Sequence, residues 1–253
     1  MKALHNFLIL LSITLISPHI ISSKLLAQGS SSGAKDTVKV IPISHGSLIL
    51  EIADNTIYID PTGGAEAYTN YKIPTIVLIT DIHGDHLNLD TLNGLDLSNS
   101  LIIAPQAVID KLPASMKSTT KVFNNDDTFK SEVLSITAIP MYNLREETLK
   151  FHPKGRGNGY IVEASGERIY ISGDTEDIPE MRSLQNIDKA FVCMNLPYTM
   201  TIERAASAVL DFKPIEVFPY HYRGTNGFSD VEAFKQMVES ENKGITVTLL
   251  KWY

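Results

Sequence analysis

The sequence predicts a mixed α/β (α+β) protein in which two β-sheets pack together and carry helices on their outer faces. Short apolar or β-branched runs occur in two blocks, near residues 37–104 and 133–194, and helical periodicity follows each block. The continuous apolar run at 75–79 indicates a strand that is covered on both faces. Because sheets and helices must bury their apolar faces against one another, this order favours two sheets enclosed by helices.

The predicted elements alternate along the chain. The first block holds strands at 37–43, 47–52, 56–59, 75–79 and 101–104, followed by a helix at 105–112 with proline in its first turn. The second block holds strands at 133–139, 159–163, 168–171 and 189–194. A helix at 201–212, with Thr201 as its expected N-cap, leads to a strand at 215–218, a helix at 229–241 and a strand at 246–250.

The composition is that of an ordinary globular protein, with 43% hydrophobic and 20% charged residues among 253. The formal net charge is −7 and no long basic run occurs, so nucleic acid is not an expected partner. The single cysteine, Cys193, lies in an apolar run. We therefore expect a packed core thiol there rather than a nucleophile.

The N-terminus has the layout of a secretory signal peptide. Lys2 precedes a mostly apolar stretch at 7–21, and small and polar residues follow it. A membrane anchor is the alternative, but a spanning helix needs about 20 apolar residues and Pro18 interrupts this run. We expect a signal peptide at 1–27, a Gly/Ser linker at 28–35 and one domain at 36–253, exported to the periplasm or secreted without a stable membrane anchor.

Four potential metal ligands fall within six residues, directly after the apolar run at 75–79. They are Asp81, His83, Asp85 and His86. Strand-like alternation places the first three on one side, and a turn at Gly84 lets His86 join them. A polar turn after a strand is the alternative, but clustered ligand residues are the usual sequence sign of a metal site. Imidazole and carboxylate together suit Zn, Mn or Fe.

This segment resembles the His-x-His-x-Asp-His signature of the metallo-β-lactamase superfamily, with Asp81 at the position of the first histidine. Further landmarks of that family follow in the same order, namely Ile59-Asp60-Pro61, Gly173-Asp174-Thr175 and Pro219-Tyr220-His221-Tyr222. Four other motifs resemble the branch near the L-ascorbate-6-phosphate lactonase-like hydrolases: Tyr142-Asn143, His152-Pro153-Lys154-Gly155, Gly159-Tyr160 and Tyr198-Thr199-Met200.

The resemblance implies a four-layer αββα sandwich with two divalent metal ions, Zn, Mn or Fe, at one edge. By position it assigns Asp81, His83 and His152 to the first metal, Asp85, His86 and His221 to the second, and Asp174 to both. Asp81 is a harder ligand than histidine, so we expect the first site to favour Mn or Fe and to bind more weakly than the second. The third ligand of the first site is either Asn143 or His152, and His152 is favoured because imidazole is the commoner ligand.

Other polar residues in these motifs are candidates for supporting roles. Tyr142, Asn143, Lys154 and Tyr198 are expected to contact the substrate, although Lys154 also fits an exposed loop. His45, in a tight turn before a strand, fits either a position behind the metal ligands or a structural turn. We expect Asp60 to orient a metal ligand or to cap the turn at 61–64.

The sequence therefore predicts a metal-dependent hydrolase. Two metal ions roughly 3.5–4 Å apart share a water and lower its pKa to about 7, and the resulting metal-bound hydroxide attacks a carbonyl or phosphorus. Asp174, which would place both metals, and Asp85, which would also orient the hydroxide, are the predicted catalytic residues. The expected substrate is a small molecule with an ester, lactone or phosphodiester-type bond. The alternative is a non-catalytic metal-binding or scaffold protein that retains the fold, which Asp81 favours and the complete second ligand set opposes.

Overall fold

Two β-sheets flanked by helices make up the part of the chain that the structure describes. The structure is a computed structural model, and it describes residues 38–52 and 54–253. The predicted signal peptide at 1–27 and the linker at 28–35 lie outside these residues. Within the described ranges, no helix has the length and apolar character needed to cross a membrane.

The first sheet begins antiparallel and ends parallel. The first two strand pairs are antiparallel and the next three are parallel. Parallel neighbours need a crossover connection, and short helices lie in two of these connections. In spatial order the six strands within the described residues are β1 (Lys39–Ser44), β2 (Ser47–Ile52), β3 (Asn55–Ile59), β4 (Ile76–Leu78), β5 (Leu101–Ala104) and β6 (Thr120–Val122). Its helices are α1 (Leu89–Gly94), α2 (Gln106–Ile109) and α3 (Ala114–Lys117), and a 3-10 turn spans Ala65–Tyr68.

The second sheet combines an antiparallel meander with a parallel half. Its strands are β7 (Thr128–Lys130), β8 (Leu134–Met141), β9 (Gly157–Ala164), β10 (Glu167–Ile171), β11 (Lys189–Cys193), β12 (Glu216–Tyr220) and β15 (Thr246–Val247). The first four are antiparallel neighbours, and the order then continues β10-β11-β12-β15 in parallel. Two further strands, β13 (Arg223–Gly224) and β14 (Gly227–Phe228), form a separate hairpin between β12 and β15. The parallel crossovers contain α4 (Pro179–Arg182), α5 (Ile202–Phe212) and α6 (Val231–Glu241), and a 3-10 turn spans Glu146–Thr148.

Alternation along the strands of the first sheet creates two apolar cores. Leu48 of β2 belongs to the large core shared with the second sheet, whereas its neighbour Ile49 belongs to a smaller core on the opposite face. Leu92 of α1 and Val108 of α2 complete the smaller core, and Val209 of α5 packs into the large one. Helices therefore cover both sheets from outside, which confirms the predicted αββα sandwich.

The predicted elements are confirmed with small shifts at their ends, and the exceptions have local causes. The helix predicted at 105–112 ends earlier, at Ile109, and Pro113 precedes a separate helix because proline cannot donate the backbone hydrogen bond of a continuing helix. The sequence does not predict β6 or β7, which are three-residue strands with mostly exposed side chains and no apolar alternation. Thr201 caps α5 as predicted, accepting a hydrogen bond from the N–H of Arg204.

Candidate metal centre

The predicted ligands come from loops of both sheets. Asp81, His83, Asp85 and His86 occupy the loop after β4, and His152 lies in the connection between β8 and β9. Asp174 follows β10, and His221 directly follows β12. Because β10, β11 and β12 are parallel, their carboxyl ends meet at one edge of the second sheet. The loops of both sheets bring all seven residues together at this edge.

Asp81, His83 and His152 form one candidate ligand group. One possible ligand atom of each lies within 4.8 Å of the others. The Oδ2 atom of Asp81 is 2.7 Å from Nδ1 of His83 and 4.0 Å from Nε2 of His152. Asp81 and His152 are buried, whereas the side chain of His83 is 38% exposed. Solvent therefore reaches this group past His83.

His86, Asp174 and His221 form a second group under the same distance limit, and all three are buried. The Oδ2 atom of Asp174 lies 3.4 Å from Nε2 of His86, and its Oδ1 atom lies 3.6 Å from Nε2 of His221. Oδ2 is also 3.2 Å from Nε2 of His152, so Asp174 contacts histidines of both groups. Asp85 adjoins the second group, with its Oδ2 atom 3.3 Å from Nε2 of His221.

Several atoms at this centre are buried and have no hydrogen-bond partner among the described residues. They are Nε2 of His86, both ring nitrogens of His152 and of His221, Oδ1 of Asp174 and Oδ1 of Asn143. Leaving a buried polar atom unpaired costs about 1–3 kcal/mol, so a cluster of such atoms fits an external partner. Imidazole nitrogen and carboxylate oxygen are ligand atoms for Zn, Mn and Fe. The residues present therefore fit the divalent metal ions that the sequence predicts.

Asp60 supports the second group from behind. Its fully buried carboxylate accepts hydrogen bonds from the backbone N–H of Thr80 at 2.7 Å, from the Thr80 hydroxyl at 2.6 Å and from Nδ1 of His86 at 2.7 Å. Burial nevertheless raises the pKa of Asp60 above its usual value. Of the two roles expected for Asp60, the structure places it in contact with a predicted ligand.

His45 contacts the second group from the turn between β1 and β2. Its Nε2 atom lies 3.1 Å from Oδ2 of Asp85, and its ring centroid is 3.8 Å from that of His221. The Nδ1 atom of His45 lies 2.6 Å from the hydroxyl of Tyr253, a contact that the sequence does not predict. The turn needs Gly46, because a Cβ there would lie 2.8 Å from Cδ2 of His221. His45 therefore holds Asp85 and packs on a predicted ligand.

The charges of the site work against the effect of burial on its ionisable groups. Burial alone would raise the pKa of Asp174, but the charges of His221 and His86 hold it well below its usual value. Burial would likewise raise the pKa of Asp85, but the adjacent imidazole of His221 and a hydrogen bond with His45 lower it. Burial would lower the pKa of His86, but the carboxylates of Asp174 and Asp60 raise it well above 6.5. Asp174 and Asp85 are therefore ionised at neutral pH and able to bind cations.

Arg156 is a residue of this site that the sequence analysis does not predict. Its guanidinium pairs with both oxygens of Asp81, with Nε 3.1 Å from Oδ1 and Nη2 2.9 Å from Oδ2. Nη2 also lies 3.5 Å from Nε2 of His83 and donates a hydrogen bond to the carbonyl of Phe151. A buried carboxylate needs a compensating cation, and this requirement is the signal that points to a basic residue near Asp81.

A cavity of about 380 Å³ opens onto these residues, a volume that suits a small-molecule ligand. The rings of Phe151 and Tyr198 meet edge to face at 5.1 Å and give the cavity an apolar wall. Among the described residues, no lysine or arginine lines it. The lining consists of His83, Asp85, Phe151, His152, Asp174, Asn195 and Tyr198.

Of the four residues expected to contact substrate, Tyr198 alone belongs to this lining within the described chain. The hydroxyl of Tyr142 donates to Glu180, and Lys154 pairs with Glu180 at 3.0 Å while lying over the Tyr142 ring. Both polar groups expected to reach a substrate are thus engaged with the same carboxylate. The exposure of the Lys154 side chain, 61%, agrees with the alternative of a solvated loop lysine.

Asn143 has a supporting position next to His152. Its Nδ2 group donates to the carbonyls of Thr148 and Tyr198, and its backbone N–H donates to the carbonyl of His152. It therefore ties the segment that carries Tyr198 to the segment that carries His152. Both candidates for third ligand of the first site stay open: His152 lies close to Asp81 and His83, and Oδ1 of Asn143 is a buried atom without a hydrogen-bond partner among the described residues.

Comparison with known proteins agrees with this fold and site. A family model described as the beta-lactamase superfamily domain matches residues 55–222. The chain is 28% identical over 220 residues to a UPF0173 metal-dependent hydrolase of Pyrococcus abyssi, and this alignment covers 83% of this chain and 96% of that protein. A solved structure described as a metal-dependent hydrolase of Parabacteroides distasonis is 39% identical with a TM-score of 0.74, over 84% of this chain and 92% of that one. Igni18, a metallo hydrolase of Ignicoccus hospitalis, is 25% identical with a TM-score of 0.71, over 85% and 95% of the two chains. The chain therefore belongs to the metallo-β-lactamase superfamily, among its hydrolases.

Proposed function

We propose that this hydrolase holds two divalent metal ions, Zn²⁺, Mn²⁺ or Fe²⁺, and cleaves an ester or lactone bond in a small molecule. One observation carries the proposal: three buried imidazole Nε2 atoms without hydrogen-bond partners in the described chain surround Asp174. The first metal position consists of Asp81, His83 and His152, the second of Asp85, His86 and His221, and both share Asp174. When bound, such ions supply Lewis acidity and lower the pKa of coordinated water.

Asp85 is suited to orient a water molecule at the mouth of the cavity. Its side chain lines the cavity together with that of Asp174 but is 43% exposed, whereas the Asp174 side chain is 4% exposed. Nε2 of His45 holds Oδ2 of Asp85, so Oδ1 is the oxygen that is free to accept a hydrogen bond from a water molecule. This division of contacts supports a catalytic role for Asp85 in addition to metal binding.

Asn195 is suited to bind a substrate oxygen. The Thr199 hydroxyl accepts a hydrogen bond from the backbone N–H of Asn195 and donates its own hydrogen to Oδ1 of the same residue at 2.6 Å. This arrangement fixes the orientation of the amide and leaves Nδ2 to donate to a substrate. A donor whose orientation is fixed in advance stabilises negative charge that develops on a carbonyl oxygen.

The cavity favours an uncharged substrate over a phosphodiester. Its walls carry the aromatic rings of Phe151 and Tyr198, and its described lining contains no lysine or arginine to pair with a phosphate. Esters and lactones of modest size match this combination of one amide donor and an apolar wall. Phosphodiesters are the second substrate class.

Metal content and hydrolysis, measured on the same samples, test the proposal. Residues 36–253 are purified without added metal, analysed by elemental mass spectrometry, and assayed with chromogenic esters, lactones and phosphodiesters. We expect about two metals per chain and measurable hydrolysis. Asp174→Asn should lose metal at both positions and reduce hydrolysis by at least about a thousandfold. Asp96→Asn is the matched control, because Asp96 is exposed and, among the residues that the structure describes, bonds only to nearby Ser98.

The same measurements separate a hydrolase from a non-catalytic protein with this fold. If the wild-type protein binds two metals but Asp174→Asn hydrolyses the substrates at the wild-type rate, the hydrolysis comes from a contaminant. This result would contradict the proposal. Failure to bind Zn²⁺ or Mn²⁺ after incubation with either ion would contradict it as well.

Export is a separate part of the proposal and rests on the N-terminal sequence. Lys2, the apolar stretch at 7–21 and the small residues that follow have the layout of a cleaved leader. Mass spectrometry of the full chain expressed with its leader should give a mature protein that begins near Gln28 in the periplasmic or secreted fraction. An uncleaved protein in the membrane fraction would favour an anchor instead.

A further inference from the structure

The guanidinium of Arg156 joins three parts of the first metal position. It forms a two-pronged pair with Asp81, contacts Nε2 of His83, and donates to the carbonyl of Phe151, the residue before His152. The Arg156 side chain is 19% exposed, and Asp81 is fully buried. Arg156 thus contacts two of the predicted ligands and the backbone beside the third.

The short loop between His152 and Arg156 makes this contact local. The backbone N–H of Arg156 donates to the carbonyl of Pro153 at 3.3 Å, which closes a turn between the two residues. Fixing Arg156 on Asp81 therefore also fixes the segment that presents the His152 imidazole. An arginine fork suits this role better than a lysine, because its planar donors match both carboxylate oxygens.

Charge gives Arg156 a second role. A buried carboxylate without a cation is strongly disfavoured, and Asp81 has Arg156 as its nearest fully charged partner in the described chain. A carboxylate has enough lone pairs to accept the arginine fork and still bind a metal ion. The pair of Asp81 and Arg156 then carries no net charge, like one neutral imidazole.

We propose that Arg156 is a positioning residue of the first metal position, where it balances the charge of Asp81 so that the pair takes the place of one neutral histidine ligand. The inference rests on the proposed metal centre but is independent of the reaction that the centre catalyses. It predicts that positions 81 and 156 are coupled. A histidine at position 81 is compatible with metal binding only when the positive charge at position 156 is also removed.

The test is a double-mutant cycle read out as metal binding. Wild type, Asp81→His, Arg156→Gln and the double variant are stripped of metal and titrated with Zn²⁺ alone and with Mn²⁺ alone, in competition with a chromophoric chelator. Asp81→His leaves an unpaired guanidinium beside the metal and should weaken the first position at least about tenfold. The double variant should bind within about threefold of wild type, while the second position keeps its affinity in all four proteins.

Controls keep the outcome tied to Arg156. Arg168→Gln removes an arginine that pairs with Glu163 on the second sheet and should leave both positions unchanged. If Asp81→His does not fold, as judged by circular dichroism, Arg156→Gln and Arg156→Lys serve in its place, because both keep Asp81 and only the first removes the positive charge beside it. Equal affinity of the first position in these two variants would then overturn the inference. A double variant that binds no better than the single position-81 variant would overturn the inference, as would wild-type affinity in Asp81→His. Wild-type protein that binds no metal would overturn both this inference and the proposed function, whereas failed rescue with two metals in wild type would overturn the inference alone.

Discussion

The Nδ1 atom of His86 lies 2.7 Å from the Oδ2 atom of Asp60, and this contact turns the opposite ring nitrogen toward the centre of the site. That nitrogen, Nε2, is 3.4 Å from Asp174. Both His86 and Asp60 are fully buried, so neither side chain exchanges this contact for water. The orientation of a predicted metal ligand, in the loop after β4, therefore depends on a residue that directly follows β3.

Asp60→Asn should weaken metal binding at the second position without unfolding the protein. The amide keeps the size of the side chain but cannot accept hydrogen bonds at both ends, so His86 and Thr80 lose part of their support. Loss of such a supporting contact typically costs about tenfold to a hundredfold in metal affinity. Chelator competition gives the affinity, and Asp96→Asn is again the control. Unchanged affinity would mean that packing alone orients His86.

The histidines and aspartates of the centre could be predicted because their sequence signals are local. Four predicted ligands share one loop after an apolar strand, and Asp174 and His221 follow strands that end at the same edge. Predicting His152 as a ligand needs a further signal, because no strand ends just before this residue. The resemblance to the family, rather than periodicity, placed this residue among the ligands.

The residues around the ligands could not be predicted, because loop conformation decides their contacts. Arg156 and Phe151 lie in an irregular segment, and nothing in its sequence shows which way either side chain points. Tyr142 and Lys154 fit a substrate role by sequence, but Glu180 of α4 engages both. Glu180 is 26 residues away from Lys154 in sequence, so a local motif does not indicate that they pair.

Metal ions should stabilise the protein more at about pH 8.5 than at about pH 6. The folded-state pKa of His86 is raised well above 6.5, because the carboxylates of Asp174 and Asp60 outweigh burial. Stability from charged His86 is therefore full below about pH 6.5 in the metal-free protein, and it is lost as pH rises through the raised pKa. A metal ion binds the neutral imidazole, so it competes with that proton at the lower pH. Asp174, with its pKa well below normal, is ionised at both pH values.

Differential scanning calorimetry with Zn²⁺, and with excess chelator as the reference, measures this difference. The rise in Tm on adding metal should be larger at about pH 8.5 than at about pH 6. The Tm of the chelated protein should be lower at about pH 8.5 than at about pH 6. An equal rise at both pH values would show that His86 is already neutral in the metal-free protein.

The aromatic wall should control substrate affinity more than turnover. Phe151→Ala and Tyr198→Ala each remove a ring from the cavity without touching the ligand side chains. For an apolar ester or lactone substrate, KM should rise about tenfold, equivalent to about 1.4 kcal/mol, with kcat changed by less than about threefold. Val133→Ala, at an exposed position away from the cavity, is the control. A loss confined to kcat would instead place these rings near the reacting atoms.

The thiol of Cys193 should be inert in the native protein. Burial raises its pKa to about 12, and the nearby charge of Asp174 acts in the same direction, so the reactive thiolate is scarce at about pH 8. The side chain is fully buried, and its Sγ atom lies 3.5 Å from the N–H of Thr175, the residue after Asp174. A chromogenic disulfide reagent should react with one thiol per chain only after denaturation, and Cys193→Ala should abolish that signal.

Incubation of the native enzyme with an alkylating reagent should leave hydrolysis unchanged, because the proposed chemistry belongs to the metal centre. Rapid native labelling with loss of hydrolysis would show that the segment carrying Asp174 opens to solvent.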